Sequence, residues 1–185
     1  MKIPITTHNN LHIVRGDLIQ GGAKMPALLR YLPRLNHTHF AYAGTVFGSG
    51  AWAVAEACAA LGFQCTLFIA KSDYAPVWLS KIERTGAKLN WCDPLPVATL
   101  HDQITATRPD LYNLPLGFDT PDFISDMAGI IRESILVPQA LPSPLGGGLG
   151  RGTSNHPPEI WVPCLSGVLA RAACLAFPDA PVHAV

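Results

Sequence analysis

The sequence has few charged side chains and no excess of either sign. Charged residues make up 14% of the 185 positions, and 13 basic residues balance 13 acidic ones. Binding to nucleic acid or to an anionic membrane surface usually requires a basic excess, so we predict neither kind of partner. Hydrophobic residues make up 49% of the chain, and the mean hydropathy is +0.24. This composition favours a globular protein with a sizeable core over a disordered one.

The sequence also lacks paired cysteines and long apolar runs. The five cysteines are odd in number, and no two have C-x-x-C spacing: Cys58, Cys65, Cys92, Cys164 and Cys174. This pattern predicts reduced thiols in a cytoplasmic protein and argues against a disulfide framework or a zinc site. No apolar stretch approaches 18 residues and the N-terminus has no signal-peptide pattern, so we expect no membrane span and no secretion.

Apolar runs alternate with helical patterns along most of the chain. The predicted strands are 11–14, 39–43, 64–70, 87–92, a possible strand at 110–115, 159–164 and one beginning at 182. The predicted helices are 25–32, 51–62, 76–86, 95–107, 120–135 and 166–177. Strands separated by helices of this length indicate βαβ units and therefore an α/β fold with a mostly parallel sheet. Ligands of such sheets bind in the loops at the carboxyl ends of the strands.

Residues 141–158 interrupt this alternation. The segment is rich in proline, glycine and serine and has no apolar periodicity. These features are typical of a flexible insert between structured elements.

Two glycine-bearing loops precede predicted helices and can hold a ligand. Gly48-Ser49-Gly50-Ala51-Trp52-Ala53 fits the G-x-G-x-x-G/A string of Rossmann-type nucleotide-binding modules, although four residues separate it from the preceding strand. A turn that packs the helix on the sheet, or a carboxylate site at a helix N-terminus, explains the loop equally well. Ser166-Gly167 opens the last helix, where a bound phosphate or a simple N-cap accounts for it.

Lys24 follows two glycines and precedes an apolar helix. A lysine is most often a solvated surface residue. A lysine amine also forms Schiff bases with carbonyl compounds, and a glycine-rich approach lets the backbone come close to a ligand.

The order of several motifs resembles fold type II pyridoxal-phosphate (PLP) enzymes. The motifs are Arg15-Gly16-Asp17-Leu18, Gly21-Gly22-Ala23-Lys24, Leu28-Leu29-Arg30, the strand, glycine loop and Ala-rich helix of 40–69, and the Ser-Gly-bearing segment 162–172. The branch of 1-aminocyclopropane-1-carboxylate deaminase and D-cysteine desulfhydrase is the most similar. The resemblance implies that Lys24 is the Schiff-base lysine. It also implies that Ser166, Gly167 and Val168 bind the PLP phosphate, and that Thr45, Ser49 and Gly50 bind the substrate carboxylate.

The same resemblance implies a tryptophan synthase β-like fold, a three-layer sandwich with mostly parallel sheets. Residues 37–107 would form a small α/β domain, and 1–36 with 108–185 an incomplete large domain. The implied function is that of a PLP-dependent lyase or deaminase acting on a small amino acid, in a chain that could form a homodimer. Ala23 stands where the family usually has asparagine, and the family's C-terminal part is missing. A truncated, catalytically inactive relative and a Rossmann-type nucleotide-binding module therefore stay open as alternatives.

Overall fold

The computed structural model describes residues 1–8, 11–74, 77–135, 159–162 and 167–185. The strands are β1 Ile5–His8, β2 Leu11–Val14, β3 His39–Gly44, β4 Gln64–Ala70, β5 Lys88–Cys92, β6 Tyr112–Asn113, β7 Ile160–Val162 and β8 Val182–Ala184. The helices are α1 Met25–Tyr31, α2 Gly50–Leu61, α3 Leu79–Ile82, α4 Val97–Thr107, α5 Pro121–Ile135 and α6 Val168–Ala176. The predicted insert 141–158 and Ser166 lie outside the described residues.

A four-stranded parallel sheet forms the centre of the molecule. Its strand order is β5-β4-β3-β6, and His39 of β3 pairs in register with Gln64 of β4. The two central strands are buried over nearly their whole length, as expected for a parallel sheet covered on both faces. The sheet confirms the predicted α/β class.

Alternate residues of β3 point to opposite faces of this sheet. Phe40 and Tyr42 join the larger hydrophobic core, to which α2 contributes its alanine-rich face. Ala41 and Ala43 join a smaller core with Leu100 and other residues of α4. Helices therefore cover both faces, and the carboxyl ends of the strands open toward the loops that follow them.

The remaining helices form a second packed group beside α2. Helix α1 packs against α2 and α5, and the rings of Tyr31 and Phe123 meet edge to face at 5.8 Å. Helix α5 packs against α6, and the Arg132 guanidinium donates hydrogen bonds to the Leu175 and Ala176 carbonyls at the end of α6. Strands β1 and β2 form an antiparallel pair, whereas β7 and β8 pair in parallel.

Three elements differ from the sequence-based expectations. The helix predicted at 76–86 is shorter: α3 ends at Ile82, and a 3₁₀ turn over Glu83–Thr85 leads to Gly86. The Thr85 hydroxyl donates to the Ile82 carbonyl at 2.6 Å, a local bond that competes with the helix. Strand β1 is not predicted, because three of the four residues in Ile5–His8 are polar. Strand β6 pairs with β3, so a strand of the predicted large domain (108–185) joins the sheet of the predicted small domain (37–107). The domain boundaries themselves stay a prediction.

None of the helices in the described ranges is long and apolar enough to cross a membrane.

Candidate functional site

The two glycines before Lys24 adopt a conformation that other residues avoid. Gly21 has φ +87° and Gly22 has φ +79°, in the left-handed region. The Met25 amide donates to the Gly22 carbonyl at 3.1 Å, which turns the chain into α1 directly after Lys24. A Cβ added to Gly22 would lie 3.7 Å from the Ser49 hydroxyl oxygen, so the loop passes close to the start of α2.

A buried carboxylate ties this loop to α2. Glu56 is only 7% exposed, and its two oxygens accept hydrogen bonds from Gln20 Nε2 at 2.7 Å and Trp52 Nε1 at 2.9 Å. Gln20 immediately precedes the two glycines. The carboxylate therefore fixes the position of the loop that leads to Lys24.

The Lys24 side chain is mostly buried and has no carboxylate partner among the described residues. Its Nζ donates to the Gly117 carbonyl at 3.4 Å and lies 5.4 Å from the centre of the Phe118 ring. Burial lowers the pKa of this amine below its ordinary value of 10.5. Lys24 therefore gives up its proton more easily than a surface lysine, which is what a nucleophilic amine requires.

A cavity of about 670 Å³ connects Lys24 with most of the other predicted site residues. Thr45, Ser49 and Gly50 line it at the carboxyl end of β3, and Gly167 lines it at the start of α6. Its other lining residues are Tyr42, Gly44, Phe47, Gly48, Ala51, Val97, Leu116, Gly117, Asp119 and Leu169. The geometry thus brings together the lysine, the glycine loop and the last helix, although Lys24 and Gly167 are 143 residues apart in the sequence.

Two helix N-termini border this cavity. Helix α2 begins at Gly50, and helix α6 begins at Val168 after Gly167 in the left-handed conformation with φ +74°. The first N–H groups of a helix have no acceptor inside it and attract anions. Val168 is completely buried in the core and is not among the residues that line the cavity, so its predicted contact with the phosphate stays a prediction.

The cavity is also lined by three residues that no sequence motif marks: Tyr42, Gly117 and Asp119. At the start of α5 the Thr120 hydroxyl accepts the Phe123 amide at 3.2 Å, and Asp119 forms an ion pair with Arg171 of α6. A contact over 52 residues carries no local sequence signal, so neither the ion pair nor its place beside the cavity was predictable.

Solved structures share this arrangement of strands, helices and loops. A PLP-dependent aspartate racemase has a TM-score of 0.70 at 19% identity, with 99% of this chain and 56% of that one covered. This is the tryptophan synthase β-like fold. Threonine deaminase isoform 2 from Solanum lycopersicum matches with a TM-score of 0.71 at 15% identity, and serine racemase from Dictyostelium discoideum with 0.69 at 17%. Both matches cover 100% of this chain. They cover 50% of the threonine deaminase chain and 59% of the serine racemase chain.

These neighbours are fold type II PLP-dependent enzymes, so the predicted fold is confirmed. The chain spans about half the length of the solved structures that it matches. No protein-family model and no curated protein matches the sequence. At identities of 15–19% the likeness establishes the fold, while activity and residue roles have to be argued from the site itself.

Proposed function

We propose that this chain is a PLP-dependent, lyase- or deaminase-like protein that acts on a small amino acid, with Lys24 as the residue that binds the cofactor aldehyde covalently. The observation that carries the proposal is the Lys24 amine: it is buried, has no carboxylate partner among the described residues and faces a cavity between two helix N-termini. The fold of the neighbours supports the same cofactor.

The residues present fit PLP at three points. Lys24 supplies an amine of lowered pKa, and a larger neutral fraction at a given pH makes it a better nucleophile toward an aldehyde. Gly167 and the first N–H groups of α6 suit a phosphate, because the helix dipole and the free donors both favour an anion. Thr45, Ser49 and Gly50 present hydroxyl and backbone donors at the start of α2, where a substrate carboxylate fits.

Bound PLP would supply an electron sink that weakens the bonds at the substrate α-carbon. The Lys24 amine would be the base that takes or returns the α-proton, since Lys24 lines the cavity. The Gly117 carbonyl and the Phe118 ring hold the amine in place. Elimination, deamination and racemisation share these steps, and the residues described here suit all of them.

The test is an absorbance titration of the purified chain with PLP. We expect a band at roughly 420 nm that sodium borohydride abolishes, as covalent attachment of PLP to a lysine requires. Lys24→Ala should remove the band, while Lys88→Ala, a change at an exposed lysine of β5, should leave it intact.

Three other outcomes would contradict the Lys24 assignment or favour an alternative function. A band that persists in Lys24→Ala would contradict the assignment of Lys24. Absence of a band in the unaltered chain would favour an inactive relative, and tight NAD binding without a band would favour a nucleotide-binding module.

A further inference from the structure

Tyr42 presents a buried phenol to the cavity, and the proposed function gives it no role. It lies on β3, is 7% exposed and stacks on Phe118 with ring centres 5.0 Å apart. Phe118 is the ring over which the Lys24 ammonium lies, and both Tyr42 and Lys24 line the same cavity. The phenol is thus a polar group more than nine-tenths buried at the wall of the candidate site.

The phenol oxygen lies at the N-terminus of α2. A Cβ added to Gly50, the first residue of α2, would overlap this oxygen, and one added to Gly44 would lie 3.0 Å from the Tyr42 ring. Neither glycine has the left-handed backbone that would by itself require glycine. Both positions therefore need glycine because Tyr42 occupies the space above the helix start.

The hydroxyl proton of Tyr42 is available to a ligand. Burial raises the pKa of the phenol above its usual value and outweighs the opposite influence of the neighbouring Gly117 backbone. The phenol therefore keeps its proton at neutral pH. No side-chain or backbone acceptor for this hydroxyl is found within the described ranges, and Tyr42 lines the cavity, so a ligand there can accept the proton.

We infer that Tyr42 is a further substrate-binding residue, whose hydroxyl donates a hydrogen bond to the carboxylate of an amino acid held at the N-terminus of α2. Two independent observations support this inference: a 12-residue helix that opens on the cavity, and a buried phenol directed at its first residue. The inference rests on the proposed function for placing an amino acid in this cavity.

The groups at the start of α2 suit the single charge of a carboxylate. Tyr42, Ser49 and the first amides of α2 are neutral donors, and Asp119 also lines the cavity. Neutral donors of this kind suffice for one negative charge. Lys24 is the single cationic residue among the described residues that line the cavity.

The experiment compares two small probes that differ by a carboxylate. L-serine and ethanolamine are titrated into the ¹⁵N-labelled chain without added cofactor, and the amide resonances of Gly50 and Ala51 are followed. We expect saturable shifts with L-serine and none with ethanolamine. In Tyr42→Phe the Kd for L-serine should rise about tenfold, the usual loss for one hydrogen bond to a charged group. The matched control Tyr112→Phe changes a tyrosine outside the cavity lining and should leave the Kd within about twofold.

An unchanged Kd in Tyr42→Phe, or Gly50 and Ala51 resonances that L-serine does not move, would overturn the inference. If Tyr42→Phe fails to fold, 3-fluorotyrosine at position 42 keeps the ring and hydroxyl. Its ¹⁹F resonance should then shift when L-serine is added and stay in place when ethanolamine is added. A resonance that L-serine does not shift contradicts the inference. The proposed function fails separately: a chain that binds L-serine through Tyr42 but forms no PLP band keeps the carboxylate site and loses the cofactor.

Discussion

The cationic residues at the two ends of α1 differ in burial and in their polar partners. After the helix, Arg34 forms a two-pronged ion pair with Asp126 at 2.5 and 3.0 Å, and Arg30 in its last turn does the same with Glu133 at 2.7 and 3.0 Å. Just before the helix, Lys24 is mostly buried against Phe118, and within the described ranges its polar partner is the Gly117 carbonyl alone. The carboxylate partners raise the pKa of both arginines, whereas burial lowers the pKa of the lysine.

This difference separates scaffold from candidate site. These arginine–carboxylate pairs join α1 and the turn after it to α5, and at least one partner of each pair stays open to solvent. Solvent screening keeps the contribution of such pairs to stability small. A buried amine without a carboxylate lowers stability while it is charged, so the fold has to compensate through its core. Strained or costly groups of this kind concentrate where a protein binds or reacts.

The largest loss of stability should follow removal of Glu56, whose carboxylate ties the Lys24 loop to α2. In Glu56→Ala a buried carboxylate is lost, and Gln20 Nε2 and Trp52 Nε1 lose their acceptor. We expect the free energy of unfolding, measured by urea denaturation, to fall by about 3 kcal/mol. Glu83→Ala, at an exposed position, should change it by no more than about 0.5 kcal/mol. Equal losses in the two variants would show that the loop does not depend on Glu56.

A somewhat smaller loss should follow substitution of the first glycine of the loop. In Gly21→Ala the new Cβ would lie 2.8 Å from Met25 Cγ and 2.9 Å from Met25 Cβ, in a left-handed backbone with φ +87°. We expect a loss of about 2 kcal/mol in the free energy of unfolding. Gly62→Ala shares the left-handed backbone but meets nothing within 4 Å, so its loss should be about 1 kcal/mol. Identical melting shifts in the two variants would contradict the crowding around Gly21.

Lys24→Met should alter stability with the opposite sign and in a pH-dependent way. Because burial lowers the pKa of Lys24 in the folded chain, the unfolded chain binds the extra proton and the charged amine costs stability. Removing the amine should therefore raise the free energy of unfolding at neutral pH. The gain should shrink as pH rises from the lowered pKa through the ordinary value of 10.5. Urea denaturation at pH 7 and pH 10.5 measures both values, and a pH-independent difference would argue against a desolvated ammonium.

The smallest effect is expected at the other end of α1. Arg30→Ala breaks an exposed ion pair with Glu133, and we expect a loss of about 0.5 kcal/mol at low salt. The loss should largely disappear at 1 M NaCl, since salt screens exposed charges. Arg84→Ala, an exposed arginine without an ion pair among the described residues, should show no salt-dependent loss. A salt-independent loss in Arg30→Ala would point to packing instead of charge.

Local patterns predicted the elements that carry strong apolar periodicity or clear end signals. Helix α2 ends at Leu61, one residue before the predicted end, and α5 begins at Pro121, one residue after the predicted start. The pattern failed where local bonds compete with a regular element, as in the 3₁₀ turn that shortens α3. Strand β1 was missed because its alternation is weak and its pairing with β2 depends on a partner strand.

Residues of the candidate site also differ in whether a local sequence pattern marks them. Lys24 and the loop 44–50 were predicted because glycines before a helix leave a local signal, and the fold brings both to one cavity with Gly167. Tyr42 looked like an ordinary strand residue, since its proximity to Gly50 and Gly117 arises only when β3 and α2 are packed. Ser166 lies in the part of the chain that is not described, so its predicted contact with the phosphate stays a prediction.

The most direct test of the central claim is to locate the cofactor on the chain. The protein is incubated with PLP, reduced with borohydride, digested and analysed by mass spectrometry. The account predicts one reduced pyridoxyl group on Lys24, with Lys2, Lys71, Lys81 and Lys88 unmodified at stoichiometric PLP. Modification spread over these exposed lysines, or absent from Lys24, would contradict it.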